Sequence, residues 1–146
     1  MSEAVKLPAE MLDIFDDRPT GFISTLRPDG QISVHPVSVV RDGDLLKVST
    51  LKHRKKYRNL LADNRVAICV PQRNDPNRFI EVRGWAEVVD DTDRAFIDQL
   101  ASIYMGVDKY TLDPAEYERV VIVIHPEQIW APDRPFKNPS LAADAP

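Results

Sequence analysis

The chain has 146 residues, 43% hydrophobic and 29% charged, with 19 basic and 23 acidic residues and a net charge of -4. That is the composition of one globular domain with a real core. It excludes a disordered chain, and an acidic molecule with no basic face is a poor partner for duplex nucleic acid.

Cys69 is the one cysteine, so a disulfide within the chain is impossible, and its place in the apolar run Val66 to Val70 marks it as a core thiol. Met1 to Phe15 carries acidic residues where a signal peptide needs a basic and then an apolar region, and no window approaches 18 apolar residues. The expected setting is the cytoplasm, with no membrane partner.

In chain order, Leu7-Pro8-Ala9-Glu10 opens a short helix with Met11, Leu12, Ile14 and Phe15 on its apolar side. Strands are predicted at Thr20 to Leu26, Gln31 to Val40 and Leu45 to Thr50, separated by the turns Arg27-Pro28-Asp29-Gly30 and Arg41-Asp42-Gly43-Asp44. Together they form an antiparallel meander. A helix follows from Lys55 to Ala62. Arg65 to Val70 reads as a strand buried on both faces, and Arg78 to Val89 as a long alternating one.

Asp91-Thr92-Asp93 caps a second helix carrying Phe96, Ile97, Leu100, Ile103 and Tyr104, and Asp113-Pro114 starts a further helical turn. Arg119 to Ile124 is the sixth strand, bent at His125-Pro126 toward Ile129-Trp130. Residues 1–130 then form the domain. Residues 131–146, with Pro132, Pro135, Pro139 and Pro146, form a proline-rich arm or tail. The expected fold is mainly β, a six-stranded antiparallel barrel with helices packed outside it.

The most informative stretch is Val48 to Ala62. Six of the 19 basic residues (Lys47, Lys52, Arg54, Lys55, Lys56, Arg58) fall between Leu45 and Ala62, with no carboxylate among them. Ser49 and Thr50 stand at a strand end just before the cations. Hydroxyls followed by Lys and Arg in a helix's first turn, beside free backbone N–H groups and a positive helix dipole, suit a phosphate. The competing reading is a solvated helix start. Single-stranded nucleic acid would want aromatics among the charges, and only Tyr57 qualifies.

Other chemistry is excluded by composition. The five glycines (Gly21, Gly30, Gly43, Gly84, Gly106) cannot form a G-x-G-x-x-G or Walker A loop. His35, His53 and His125 lie in separate elements without metal-ligand spacing, so no metal is expected. No nucleophile elbow exists, so catalysis would rest on a cofactor.

The order STLRPDGQISVHPVSVV, DGDLLKVSTLKHRKKYRNLLADNRVAICV, FIEVRGWAEVVDD resembles the split-barrel flavin- and deazaflavin-binding proteins similar to pyridoxamine 5'-phosphate oxidase. Within that group it is most similar to the oxidoreductases that use the deazaflavin coenzyme F420. The likeness runs from about Ile14 to Trp130. It implies an FMN-binding split-barrel fold in which the second strand, His35, Pro36, Val37, Ser38 and Val39, lies along the ring. By the same resemblance Ser49, Thr50, Arg54, Lys55 and Lys56, with Asn59 nearby, hold the phosphate, and Lys52 is counted with them as a further cation that can meet a negative charge of the F420 phosphodiester and its acidic tail. Pyridoxamine phosphate oxidases present an Arg-Lys pair where this chain has Lys55-Lys56.

The implied activity is hydride transfer from reduced F420 to an unsaturated small-molecule acceptor. FMN in the same cleft is the alternative cofactor, and a non-catalytic flavin- or deazaflavin-binding or storage protein is the non-enzymatic reading. No catalytic residue is identified. A homodimer is also expected, because Val34, Val37, Val39, Ile80, Val82 and Trp85 exceed what one small core covers, and a ring on the outside of a barrel needs a second wall. Trp130 and the arm with Phe136 are the segments that would reach across.

Overall fold

The computed structural model describes residues 5–132. A 3-10 helix at Ala9–Asp16 precedes β1 (Thr20–Leu26), β2 (Ile32–Ser38), β3 (Val40–Asp42), β4 (Leu45–Leu51), α1 (Lys55–Ala62), β5 (Arg65–Gln72), β6 (Asp75–Asp90), α2 (Ala95–Met105) and β7 (Arg119–Trp130). The strands make one antiparallel sheet in the order β2-β1-β5-β6-β7-β4-β3. The loop at Asp113-Pro114 closes in a turn, Tyr117 N–H donating to Pro114 O, and does not become the predicted helical turn.

The sheet has seven strands in an unclosed ladder, where a six-stranded barrel was expected. The reason lies at Val39. The predicted strand Gln31 to Val40 is two strands: β2 pairs with β1, and β3 pairs with β4. The expected meander is therefore broken within its second strand, and β4 finds its other partner in β7. Since β2 and β3 end the strand order yet are joined through one residue, the sheet must curl until its two edges meet at Val39, in the manner of a split barrel. The Val39 backbone groups leave the ladder there and are satisfied by Tyr104 of α2, whose Oη accepts from Val39 N at 3.1 Å and lies 2.8 Å from Val39 O and 2.6 Å from Pro19 O. A buried peptide with neither partner would cost about 1 to 3 kcal/mol per group.

Two apolar clusters fill the molecule. Inside the curl lie Ile23, Val39, Leu46, Val48, Ile68, Val70, Ile80, Val82, Ile122 and Ile124, each at most 1% exposed. The 3-10 helix closes one end with Met11, Ile14 and Phe15, and α1 contributes Leu60. Burying each such side chain stabilises by about 1.5 to 3 kcal/mol. The second cluster lies outside, where Phe96, Ile97 and Leu100 of α2 cover Val40, Val121 and Val123. Asp91, 5% exposed, caps α2 by accepting from Phe96 N and Ile97 N, both at 3.0 Å.

Two expectations about burial change. β5 is buried on one face only: Val66, Ile68 and Val70 point inward, while Ala67 and Cys69 are half-covered on the outside. Cys69 is thus not a full core thiol, though burial, and then Glu81, push its pKa up. Of the residues expected to overflow the core, Val39, Ile80 and Val82 are fully inside it and Val37 partly so. Val34 and Trp85 remain exposed. At the bend in β7, the β6 register shifts at Arg83/Gly84, and a side chain at Gly84 would collide with the His125 carbonyl. Only glycine fits so close an approach.

Candidate functional site

A cleft of about 340 Å³ opens where β2 leaves the ladder, the end of β4 passes, and α2 crosses outside them. One side is main chain and small side chains from Pro36, Val37 and Ser38. At the far end stand Ser49 and Thr50, and beyond Leu51 the first turn of α1 supplies Arg54 and Lys56. The opposite wall is apolar and comes from α2, chiefly Leu100, Ala101, Tyr104 and Met105. A slot that is apolar along its length and cationic at one end fits a flat ligand with an anionic tail.

The electrostatics agree. Among the described residues Arg54, Lys55 and Lys56 have no carboxylate partner. Burial pushes the Lys56 ammonium below its ordinary pKa, and the Arg54 charge pushes it further. Two cations crowded at a half-buried helix start are an arrangement that an anion relieves. The backbone N–H groups of the first turn of α1 face the same end, and no side chain caps them.

The sequence-predicted site residues divide. Pro36, Val37, Ser38, Ser49, Thr50, Arg54 and Lys56 converge on the cleft. Lys55 is exposed beside it and does not line it. Lys52 is turned away: its Nζ lies 3.2 Å from Asp90 and 3.9 Å from Glu118, and the Asp90 hydrogen bond raises its pKa. Asn59 is buried and donates from Nδ2 to Thr25 Oγ1 at 3.0 Å, which ties α1 to β1. Val39 is a core residue, and His35 is exposed on β2 away from the lining.

Besides Leu51 and the α2 wall, two lining residues escape sequence reasoning: Tyr110, in the loop after α2, and Arg119, at the start of β7. Nothing in a lone arginine before an apolar strand marks it. The α2 wall was half-legible, since the helical spacing that predicted α2 also selects the face carrying Ile97, Leu100 and Tyr104.

Among the described residues no three His, Cys, Asp or Glu side chains could hold a metal, and no helix is long and apolar enough to cross a membrane.

The family model described as "Pyridoxamine 5'-phosphate oxidase" matches residues 7–132. A solved structure named F420 reductase is 32% identical, with a TM-score of 0.75 and coverage of 85% of this chain and 98% of that one. General stress protein 26 of Bacillus anthracis shares 22% identity at a TM-score of 0.65, over 86% and 93% of the two chains. A conserved hypothetical protein of Mycobacterium tuberculosis shares 19% at 0.66, over 96% and 98%. The last two are similar in fold alone. Curated proteins return no significant match.

Proposed function

Because the chain belongs to the pyridoxamine 5'-phosphate oxidase family, we propose that it is an F420-dependent oxidoreductase that reduces an unsaturated, electrophilic small molecule. The observation that carries this reading is the joining, in one cleft, of the Pro36–Ser38 strand to the unpartnered cations Arg54 and Lys56. The 32% identity to a protein named F420 reductase, over nearly the whole of that chain, supports it.

In this reading the chain binds, orients and keeps water out, and reduced deazaflavin, when bound, supplies the hydride. The ring would lie along β2, its polar edge meeting the main chain of Pro36, Val37 and Ser38. Leu100, Ala101, Tyr104 and Met105 would exclude water from its other side. Ser49, Thr50, Arg54 and Lys56 would hold the phosphate, with Lys55 and Arg58 on the same helix within reach of a longer acidic tail. F420 has such a tail, a lactyl group followed by glutamates, and FMN does not. With Lys52 engaged by Asp90, four cations at α1 remain, which is more than a single phosphate needs. FMN in the same cleft is the second reading, favoured by the family match. Titration of the purified protein with each cofactor, followed by absorbance, separates them. Tighter F420 binding is expected, and micromolar FMN binding with no detectable F420 binding overturns the choice.

The active unit in this proposal is a homodimer. The outer face of β1, β2, β5 and β6 exposes Phe22 (42%), Ile32 (72%), Val34 (59%) and Trp85 (40%), with Trp130 of β7 at 55%. Trp85 has one ring face covered by His125, stacked at 4.0 Å, which leaves the other face open. This apolar surface runs along β2 to Pro36 at the cleft, so a second copy seated there would also wall the cofactor. Phe136 and the rest of the arm beyond Pro132 lie outside the described residues. Light scattering at low micromolar concentration should report twice 16.6 kDa, and a monomer that still binds cofactor sinks the dimer.

A further inference from the structure

Arg119, which lines the cleft, belongs to a second group of charges, one that is engaged within the protein. Asp113, with a side chain only 8% exposed, lies between two arginines. Arg119 presents Nη2 to Asp113 Oδ1 at 3.1 Å and Nε to Oδ2 at 3.3 Å, a two-pronged pair. Arg94 Nη2 reaches Oδ2 at 2.9 Å, and its Nη1 donates to the Tyr117 carbonyl at 3.2 Å. Burial alone would push the Asp113 carboxyl up, but the hydrogen bonds and charges of Arg119 and Arg94 outweigh it and hold the carboxyl below its ordinary value. The Tyr110 ring covers Arg119 at 4.8 Å, and Tyr110 is itself held by a backbone N–H donated to Asp98 at 2.9 Å.

The Asp113 pair leaves Nη1 of Arg119 unused. That nitrogen donates to Ser49 Oγ at 3.0 Å, inside the cleft. A serine oxygen that accepts from a guanidinium has its own proton free to point elsewhere, and among the described residues no acceptor takes it. We infer that Asp113 and Arg119 are positioning residues that hold the Ser49 hydroxyl as a donor toward an anionic oxygen in the cleft. The Nε and Nη2 side of Arg119 is taken by Asp113 and its face by Tyr110, so the contact it makes in the cleft is the one through Nη1 to Ser49. This rests on the reading of the cleft as the site of a phosphorylated cofactor, and it assigns one specific contact there to Ser49.

The experiment is a double-mutant cycle read on the affinity of inorganic phosphate, by calorimetry, and repeated with F420. Arg119→Lys keeps a cation for Asp113 but lacks the fork needed to serve Asp113 and Ser49 at once. In the parent background it should weaken phosphate binding about tenfold, the size of one hydrogen bond to a charged group. In a Ser49→Ala background the same change should cost less than twofold. Asp113→Asn should follow the same pattern, which keeps the test open if Arg119→Lys folds poorly. Arg94→Lys loosens the same loop without touching Ser49 and should leave affinity within twofold. Equal losses in both backgrounds, a loss from Arg94→Lys as large as that from Arg119→Lys, or a parent protein with no phosphate affinity would overturn the inference. Phosphate binding with the expected cycle but no F420 binding would retire the cofactor proposal and leave this inference standing. F420 binding with an additive cycle would do the reverse.

Discussion

Two clusters of positive charge lie near the same end of the cleft, one at Arg54 and Lys56 and one reaching Ser49 through Arg119, and they are built in opposite ways. At the start of α1, Arg54, Lys55 and Lys56 have no carboxylate partner among the described residues, and burial, then the Arg54 charge, lowers the Lys56 pKa. Near them Arg94 and Arg119 clamp one aspartate, Asp113, with side chains 23%, 9% and 8% exposed respectively. The first arrangement leaves charge available to a ligand at the expense of the empty fold. The second uses its charge inside the protein, where a partnered buried ion holds structure in place and removal of one member leaves the others stranded. Cation count alone therefore says little about anion binding. What matters is whether each cation already has a partner.

The largest expected effect tests the engaged cluster. Asp113→Asn should lower unfolding stability by about 3 kcal/mol, because two arginines lose a buried counter-charge. Urea denaturation at neutral pH reads it, and a loss under 1 kcal/mol would place this pair among ordinary surface bridges. The sign with pH follows from the depressed carboxyl. Its contribution is fully present above the unfolded-state value near 4 and is lost as pH falls through the lower folded-state value. The parent should therefore lose more stability between pH 5 and pH 3 than the Asn variant does.

Next in size is the free cluster. Replacing both Lys55 and Lys56 by Ala should weaken cofactor binding by about 2 to 4 kcal/mol while hardly changing stability. The geometry apportions that loss: Lys56→Ala alone should account for most of it, since Lys56 lines the cleft and Lys55 does not. Equal single-mutant losses would mean that the exposed lysine reaches the ligand after all, and unchanged affinity in the double mutant would return the cluster to the status of a solvated helix start.

The smallest effect is on the pH dependence of binding. An anion favours charged Lys56 and raises its pKa, so affinity should decline as pH rises through the lowered value of the ligand-free protein. The decline is partial because Arg54 stays charged. Titrations between pH 7 and pH 10 measure it. Lys56→Arg should flatten the profile, and a slope that survives this change would assign the titration to another group.

Much of this was legible in the amino-acid order because it is local. Turn residues set the hairpin between β1 and β2, apolar spacing marked both helices, and a carboxylate-free run of lysines and arginines announced α1's charged start before any fold was known. The seven residues that converge on the cleft were named from their order and from the family resemblance. Three features turn on contacts that the amino-acid order does not display. Lys52 belongs to the charge run but meets Asp90 and Glu118, which are distant in sequence. Asn59 looks like a ligand-facing polar residue but bonds Thr25, 34 positions away. The stretch from Gln31 to Val40 reads as one continuous strand, because nothing in its side chains says that Val39 must leave one edge of the sheet for the other.

The sequence by itself therefore determined the element types, the antiparallel β class, the family and the location of a surplus of positive charge. All but the family are set by short-range periodicity, turn chemistry or composition, and the family is read from the order of motifs it resembles. Only the tertiary structure decided which cations stay free, that Tyr104 seals the strand break, and that Arg119 reaches Ser49 from 70 positions away. Partner choice for a charge or a hydroxyl is a question of distance in space, and the curl of one sheet through Val39 sets those distances.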